Sequence, residues 1–294
     1  MTAVKIHAFA DSESLARRIG GLLKAPIATA SVHRFPDGET LVRAKLPVDR
    51  EAVVVRSLHD PNAKLIEVLL LGDALRRAGA KRVTLVSPYL PYMRQDKVFH
   101  RGEPLSQQVL ARLLGASFDR IITLEAHLHR TENLADVFAI PAHSIPAASA
   151  IADWIRAQNY PYFAVIGPDS ESTQMVSAIA KLSALPCAVG RKHRLADRNV
   201  EIQLSQKLST KGAIVVDDIA SSGHTLATIV RALRSRRIAP VDVIVAHALF
   251  ERGAISLIRD AGARKIISCN SITHPTNRID IAPLLADALR SMTR

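Results

Sequence analysis

Ala213 to Val216 is a short, unbroken apolar run that stops at two adjacent carboxylates, Asp217 and Asp218. A strand that is apolar on both faces must be covered on both, which points to a parallel sheet with helices on either side. Open α/β sheets place their ligand crevices at the carboxyl ends of such strands, so the two acids are expected to face a site. Beyond them Ser221, Ser222 and Gly223 read as a turn, and the helical pattern runs from about His224 to Arg237. The hydroxyls of Ser221, Ser222 and Thr225, with backbone N–H groups at a helix start, suit an anion such as phosphate. The carboxylates do not bind phosphate, but they can accept hydrogen bonds from vicinal sugar hydroxyls or help to hold a divalent cation. The stretch as a whole describes a cradle for a ribose carrying a terminal phosphate.

The strand-then-helix alternation extends along the whole chain and argues for α/β. Strands are expected at Val4 to Ala10, Ala28 to Phe35, Leu41 to Leu46, Ala52 to Leu58, Val83 to Ser87 and Ile121 to Leu124. In the second half they are expected at Phe163 to Ile166, Pro186 to Val189, Val200 to Leu204, Val241 to Leu249 and Lys265 to Ser271. Helices fall between them, the last over Ala282 to Met292 with Leu284, Leu285, Ala288 and Leu289 on one face. At about 150 residues per domain, 294 residues divide into two, 1–145 and 146–294, with the last helix a candidate to pack back on the N-terminal domain.

A net charge of +12 suits nucleic acid, an anionic membrane or small polyanionic substrates. Aromatic residues make up only 4% of the chain, which leaves few stacking platforms for a nucleic-acid strand, so nucleic acid is not expected as a partner. No apolar stretch approaches the roughly 18 residues that span a membrane, and Met1 to Ala10 lacks a signal-peptide core, so a cytoplasmic enzyme is expected. Cys187 and Cys269 have no zinc-type spacing and are expected as buried thiols.

Four loops carry chemistry. Pro36, Asp37, Gly38 and Glu39 read as a turn. Pro88 to Lys97, followed by Arg101 to Pro104, is an irregular, charge-rich segment that is either a solvated loop or a nucleotide contact. His127 and His129 follow a strand two residues apart, which in extended chain puts them on one face, a metal geometry or a pair of surface histidines. Arg191 to Arg198 is a basic stretch that is either a solvated hairpin or a source of charge for a polyphosphate.

Taken together, these segments resemble the ribose-phosphate diphosphokinase (phosphoribosyl diphosphate synthetase) family from about Phe35 to Pro283, with the shorter archaeal type the nearer branch. Phe35 to Glu39 is similar to the family's Phe-x-Asp-Gly-Glu loop, and Tyr92 to Lys97 to its Tyr-x-Arg-Gln-Asp-Arg segment. His127, Asp169, the pair Lys192 and Arg194, and Asp217 to Thr225 match the histidine near the metal, the Pro-Asp aspartate, the Lys-x-Arg of the catalytic loop and the ribose-5-phosphate loop. Four positions depart from the pattern. Glu125 stands for Asp, Glu171 and Ser172 for Gly-Gly, Ser221 for an Asp of many members, and His224 for the loop's second Gly. Histidine is among the residues less averse to positive φ at that point.

The resemblance implies two similar phosphoribosyltransferase-type domains, each a mostly parallel sheet flanked by helices, with the ATP-site loops in the first and the ribose-5-phosphate loop in the second. It implies transfer of the β,γ-diphosphoryl group of Mg-ATP to the C1 hydroxyl of ribose 5-phosphate, giving phosphoribosyl diphosphate and AMP. ATP would be held by Phe35, Asp37, Glu39, Arg94, Gln95, Asp96 and His127, and ribose 5-phosphate by Asp217, Asp218, Ser221, Ser222, Gly223, His224 and Thr225. His127 and Asp169 would place Mg²⁺, and Lys192 and Arg194 would be catalytic. It also implies a homo-oligomer whose ATP site is shared between subunits. Two alternatives stand beside this: a phosphoribosyltransferase or diphosphoryl transferase acting on another sugar phosphate, and a non-catalytic regulatory homologue.

Overall fold

The computed structural model describes residues 4–128, 131, 133–196, 199–205 and 210–292, and for 191–196 and 199–204 it describes the backbone alone. The chain forms two compact units, one of residues 1–145 with 282–294 and one of 146–281.

In the first unit β1 (Val4–Ala8), α1 (Glu13–Leu23), β2 (Ile27–Thr29), β3 (Ser31–Arg34), β4 (Thr40–Arg43) and β5 (Glu51–Val55) are followed by α2 (Pro61–Arg77), β6 (Arg82–Val86), α3 (Ser106–Ser117), β7 (Arg120–Leu124) and β8 (Ala142–Ile145). Six strands make one parallel sheet in the order β2-β1-β5-β6-β7-β8, and β3 and β4 pair antiparallel as a separate hairpin. Val54, Leu85 and Ile121 on the strands bury against Leu71 and Leu75 of α2 and Leu114 of α3. This is the covered sheet face that an unbroken apolar strand requires.

The second unit runs α4 (Ala148–Ala157), β9 (Phe163–Gly167), α5 (Thr173–Ser183), β10 (Cys187–Ala196), β11 (Asn199–Leu204), β12 (Gly212–Ala220), α6 (His224–Ser235), β13 (Val241–Ala248), α7 (Ala254–Asp260), β14 (Ala263–Cys269) and β15 (Asn277–Ile279). Its seven strands lie in the order β11-β10-β9-β12-β13-β14-β15, parallel except for β11. Ala213 to Val216 are fully buried at its centre. A last helix, α8 (Ala282–Met292), belongs to the first unit, where it packs on α1 and buries Leu285, Ala286 and Leu289. Among the described residues no helix is long and apolar enough to cross a membrane.

The structure departs from the pattern reading where partners, not propensity, decide. β10 does not stop at Val189: it continues to Ala196 because β11 folds back on it, from Gly190 opposite Leu204 to Ala196 opposite Asn199. The stretch expected as one strand from Ala28 to Phe35 is two, broken at Ala30, whose N–H donates to the Ala8 carbonyl at 2.8 Å. The short strands β8 and β15 carried no pattern of their own. Cys269 is buried, but Cys187 is only half-buried.

Asp242, at the start of β13, is fully buried (0% exposed). It accepts two hydrogen bonds from Arg264 of β14, at 2.8 and 2.5 Å, and one from the Tyr160 hydroxyl at 2.7 Å. Burial, and then the Asp242 carboxylate, hold the Tyr160 phenol well above its ordinary pKa. Asp242→Ala should cost about 2–4 kcal/mol, toward the lower range for a broken buried pair, because Arg264 is 41% exposed and can regain water. Urea unfolding of the second unit's transition measures it, and a loss below about 1 kcal/mol would contradict this account.

Candidate active site

Both sheets are wound first to one side and then to the other, and the reversal opens a crevice at the carboxyl ends of the two strands that flank it. In the second unit these strands are β9 and β12. β9 pairs with β12 only as far as Val215, so the Asp217 to Ala220 part of β12 is paired on its β13 side alone. Asp217 and Asp218 therefore stand at the crevice, half-buried, with Asp169 just beyond the end of β9. The Asp217 carboxyl titrates well above the ordinary carboxylate range, chiefly through burial and then through repulsion from Asp218 and Asp169.

Each acid is fixed by its own backbone. Asp217 Oδ1 accepts from the Asp218 N–H at 3.1 Å, and Asp218 Oδ1 from the Ile219 N–H at 2.7 Å. Asp169 Oδ1 accepts from the Glu171 N–H at 3.2 Å, and its carbonyl accepts from Ser172 Oγ at 2.6 Å. Ser170–Ser172 forms a single 3₁₀ turn, to which Glu171 contributes its backbone N–H and Ser172 its side chain. A Cβ on Gly167 would lie 2.1 Å from Ser172 Oγ, so this turn requires the glycine.

The loop after β12 ends at α6, a twelve-residue helix that buries Leu226, Ile229, Val230 and Leu233. Its N-cap Gly223 has φ +79°, and a Cβ there would lie 3.1 Å from the Ala254 carbonyl and 3.2 Å from Ile258. The positive φ therefore falls on Gly223; His224 is the first helical residue and is exposed. Among the described residues no side chain caps this helix, so its first-turn N–H groups point outward beside the half-buried Ser221, Ser222 and Thr225. A helix start of this kind can accept an anion. Lys192 and Arg194 lie on the part of β10 that has left β9 and pairs with β11 alone; their side chains lie outside the described residues.

In the first unit the segment Arg94 to Asp96 follows β6, and His127 follows the neighbouring β7, so both arise at the carboxyl edge of one sheet. Arg94 is exposed and His127 half-buried. Gln95 is held at both ends, its carbonyl accepting from the Gln107 N–H at 3.3 Å and its side chain from the Ser106 hydroxyl. Asp96 lines a cavity of about 260 Å³ with Gln107, Gln108, Arg112 and Asp136. Phe35, Asp37 and Glu39 are not at that edge; they form the exposed tip of the β3–β4 hairpin. The tip is shaped by Gly38 at φ +96°, by the Phe35 N–H donating to the Glu39 carbonyl at 2.9 Å, and by Asp37 accepting from the Glu39 N–H at 3.0 Å. His127 belongs to the first unit and Asp169 to the second, and His129 lies outside the described residues.

The first unit's own reversal lies between β1 and β5. Sequence reasoning missed what fills it: Asp11 after β1, Arg56 after β5, and Lys64 and Glu67 on α2, joined by ion pairs. The available signal was a charge at a core position of a helix, Glu67 beside Leu65 and Val68.

Among the described residues no three carboxylate, imidazole or thiolate groups converge closely enough to hold a metal ion by themselves. The three repelling carboxylates of the second crevice are nonetheless hard oxygen donors of the kind that Mg²⁺ takes one or two at a time, keeping its remaining positions for water and phosphate oxygens.

Two family models match the chain: the N-terminal domain of ribose phosphate pyrophosphokinase over residues 4–117 and the phosphoribosyl transferase domain over residues 115–281. The chain is 31% identical over 292 residues to the ribose-phosphate pyrophosphokinase of Methanopyrus kandleri, covering 98% of this chain and 99% of that one. It is 32% identical over 268 residues to that of Pyrococcus furiosus, covering 90% and 94%. The crystal structure of phosphoribosylpyrophosphate synthetase from Mycobacterium smegmatis superposes with a TM-score of 0.85 at 28% identity over 99% of this chain and 98% of that one. With the two reversed sheets, the acid pair and the uncapped helix all in place, the chain belongs to the ribose-phosphate pyrophosphokinase family.

Proposed function

We propose that the chain transfers the β,γ-diphosphoryl group of ATP to the C1 hydroxyl of ribose 5-phosphate, releasing AMP. The observation that carries this reading is the second unit's crevice, where carboxylates and an uncapped helix N-terminus stand side by side. Vicinal hydroxyls and a terminal phosphate need that combination of acceptors and donors.

In this reading Asp217 and Asp218 accept the ribose hydroxyls, and the backbone and hydroxyls of Ser221 to Thr225 take the 5-phosphate. The C1 oxygen forms a bond to the β-phosphorus, the bond from that phosphorus to the α,β-bridging oxygen breaks, AMP departs with that oxygen, and the hydroxyl proton passes to solvent. Catalysis of this kind is positioning and charge neutralisation, with no covalent role for the protein. Lys192 and Arg194 neutralise charge on the β-phosphoryl group, and Phe35, Asp37, Glu39, Arg94, Gln95, Asp96 and His127 hold the nucleotide. Asp169 and His127 would hold Mg²⁺, which when bound supplies charge to the polyphosphate. Residues 1–145 thus serve ATP and residues 146–281 ribose 5-phosphate. The reading extends to a cytoplasmic homo-oligomer with a shared ATP site, supported by Val32, Phe35 and Leu41 standing exposed on the hairpin.

AMP release from ATP, assayed across a panel of sugar phosphates, tests the reaction; preference for a sugar phosphate other than ribose 5-phosphate would overturn the acceptor. Lys192→Ala should lower kcat by at least about a hundredfold with the fold intact by circular dichroism. Asp218→Asn should raise the KM for ribose 5-phosphate, and an unchanged value would remove that acid from the acceptor site.

Asp217→Asn relieves the repulsion and should stabilise the ligand-free chain while lowering activity. Because the folded carboxyl's pKa is raised, wild type bears the cost fully above that pKa and sheds it as pH falls toward the unfolded value near 3.8. The gain should therefore be large at neutral pH and fade in acid, as read from urea midpoints at the two conditions. A gain that grows in acid would contradict it.

A further inference from the structure

The hairpin bearing Phe35, Asp37 and Glu39 has little holding it. All four residues of β3 are exposed, and β4 buries only Val42, which joins the first unit's core against α2. A two-stranded hairpin is marginal by itself in water, so its direction is set by what ties it down. Besides Val42 the described tie is polar: Arg34, the residue before Phe35, donates from Nη2 to Glu67 Oε1 at 3.1 Å.

Glu67 is not an ordinary surface partner. It is 1% exposed on the core face of α2, whereas the Arg34 side chain is 67% exposed and reaches in with its tip. The second Glu67 oxygen lies 2.5 Å from Arg56 Nη1, a close ion contact rather than a well-directed hydrogen bond. Arg56 is itself buried: its guanidinium lies 3.9 Å from the centroid of the Phe9 ring and 3.4 Å from Asp11, which also pairs with Lys64 at 3.2 Å. Each Glu67 oxygen thus meets a different guanidinium, one from the rigid sheet and one from the hairpin. A buried carboxylate held on one side by a fixed cation presents its other oxygen in a fixed direction, a stiffer tie than two flexible surface charges provide.

We infer that Glu67, held from behind by Arg56, is a positioning residue that aims the β3–β4 hairpin through Arg34, and so sets how Phe35, Asp37 and Glu39 meet the nucleotide. The inference rests on the assignment of those three residues to ATP, so its test has one arm that does not.

Arg34→Gln removes the hairpin's guanidinium but leaves Glu67 beside Arg56, so the fold should stay intact by circular dichroism with only a modest fall in the melting midpoint. Amide exchange at Phe35 and Gly38, whose N–H groups close the tip, should speed up by about tenfold while α2 is unchanged. The KM for ATP should rise by about fivefold or more with the KM for ribose 5-phosphate within about twofold, and Arg34→Lys should restore part of it. Glu67→Gln combined with Arg34→Gln should add nothing further to the ATP KM. Unchanged exchange in Arg34→Gln overturns the proposal, and if the ATP KM rises all the same, Arg34 is a direct nucleotide contact instead. Faster exchange with an unaltered ATP KM overturns the link to the nucleotide. If wild type releases no AMP at all, the proposed reaction fails, and exchange alone decides whether Glu67 holds the hairpin.

Discussion

A parallel sheet wound first to one side and then to the other leaves two neighbouring strands whose carboxyl ends part, and the gap between β9 and β12 is where Asp169, Asp217 and Asp218 meet. The acid pair and the loop that follows it depend on that reversal for their place. The buried run Ala213 to Val216 carries the acids to the edge, and Gly223 lets α6 start close against Ala254 and Ile258. Among the described residues no side chain caps the start of that helix, which leaves its first N–H groups without an intrahelical partner. The arrangement opposes stability, since burial and like charges push the Asp217 carboxyl upward, and in the proposed reaction a ligand's hydroxyls or a cation would relieve that repulsion.

The first unit contains the same reversal between β1 and β5 and treats it differently. Its crevice is filled by Asp11, Arg56, Lys64 and Glu67, acids matched to bases. The helix that follows opens with Pro61, which has no N–H to offer, after Asp60, whose charge repels an anion. Two sheets of one design thus differ at their reversals, one gathering carboxylates that repel and the other a network of ion pairs. Burying so much charge carries a desolvation cost, and such networks are better understood as specifying one arrangement than as adding stability. In this chain the arrangement specified includes the direction of the hairpin.

Much of this was legible in the residues. The parallel strands were visible because burial on both faces leaves unbroken apolar runs, and the crevice acids because Asp217 and Asp218 interrupt such a run. The limits are equally physical. Lys192 and Arg194 read as a charged loop between strands, yet β10 continues through them because β11 supplies the hydrogen bonds that apolar pattern does not. The family pattern, with glycine where His224 stands, points to positive φ there, but packing against α7 places it on Gly223. The short strands β8 and β15 are added at sheet edges by pairing alone.

By itself the sequence determined the fold class, the residue types of the sugar-phosphate loop and the spacing of the family's motifs, because these are written locally in periodicity, turn chemistry and charge. Only the tertiary structure decided which charges oppose one another. That Asp169 raises Asp217, and that Glu67 stands between Arg34 and Arg56, follow from strands and helices far apart in the chain being brought edge to edge. Local pattern cannot report such pairings, since Coulomb interactions depend on distance in space and on burial, and both are set by the sheet order.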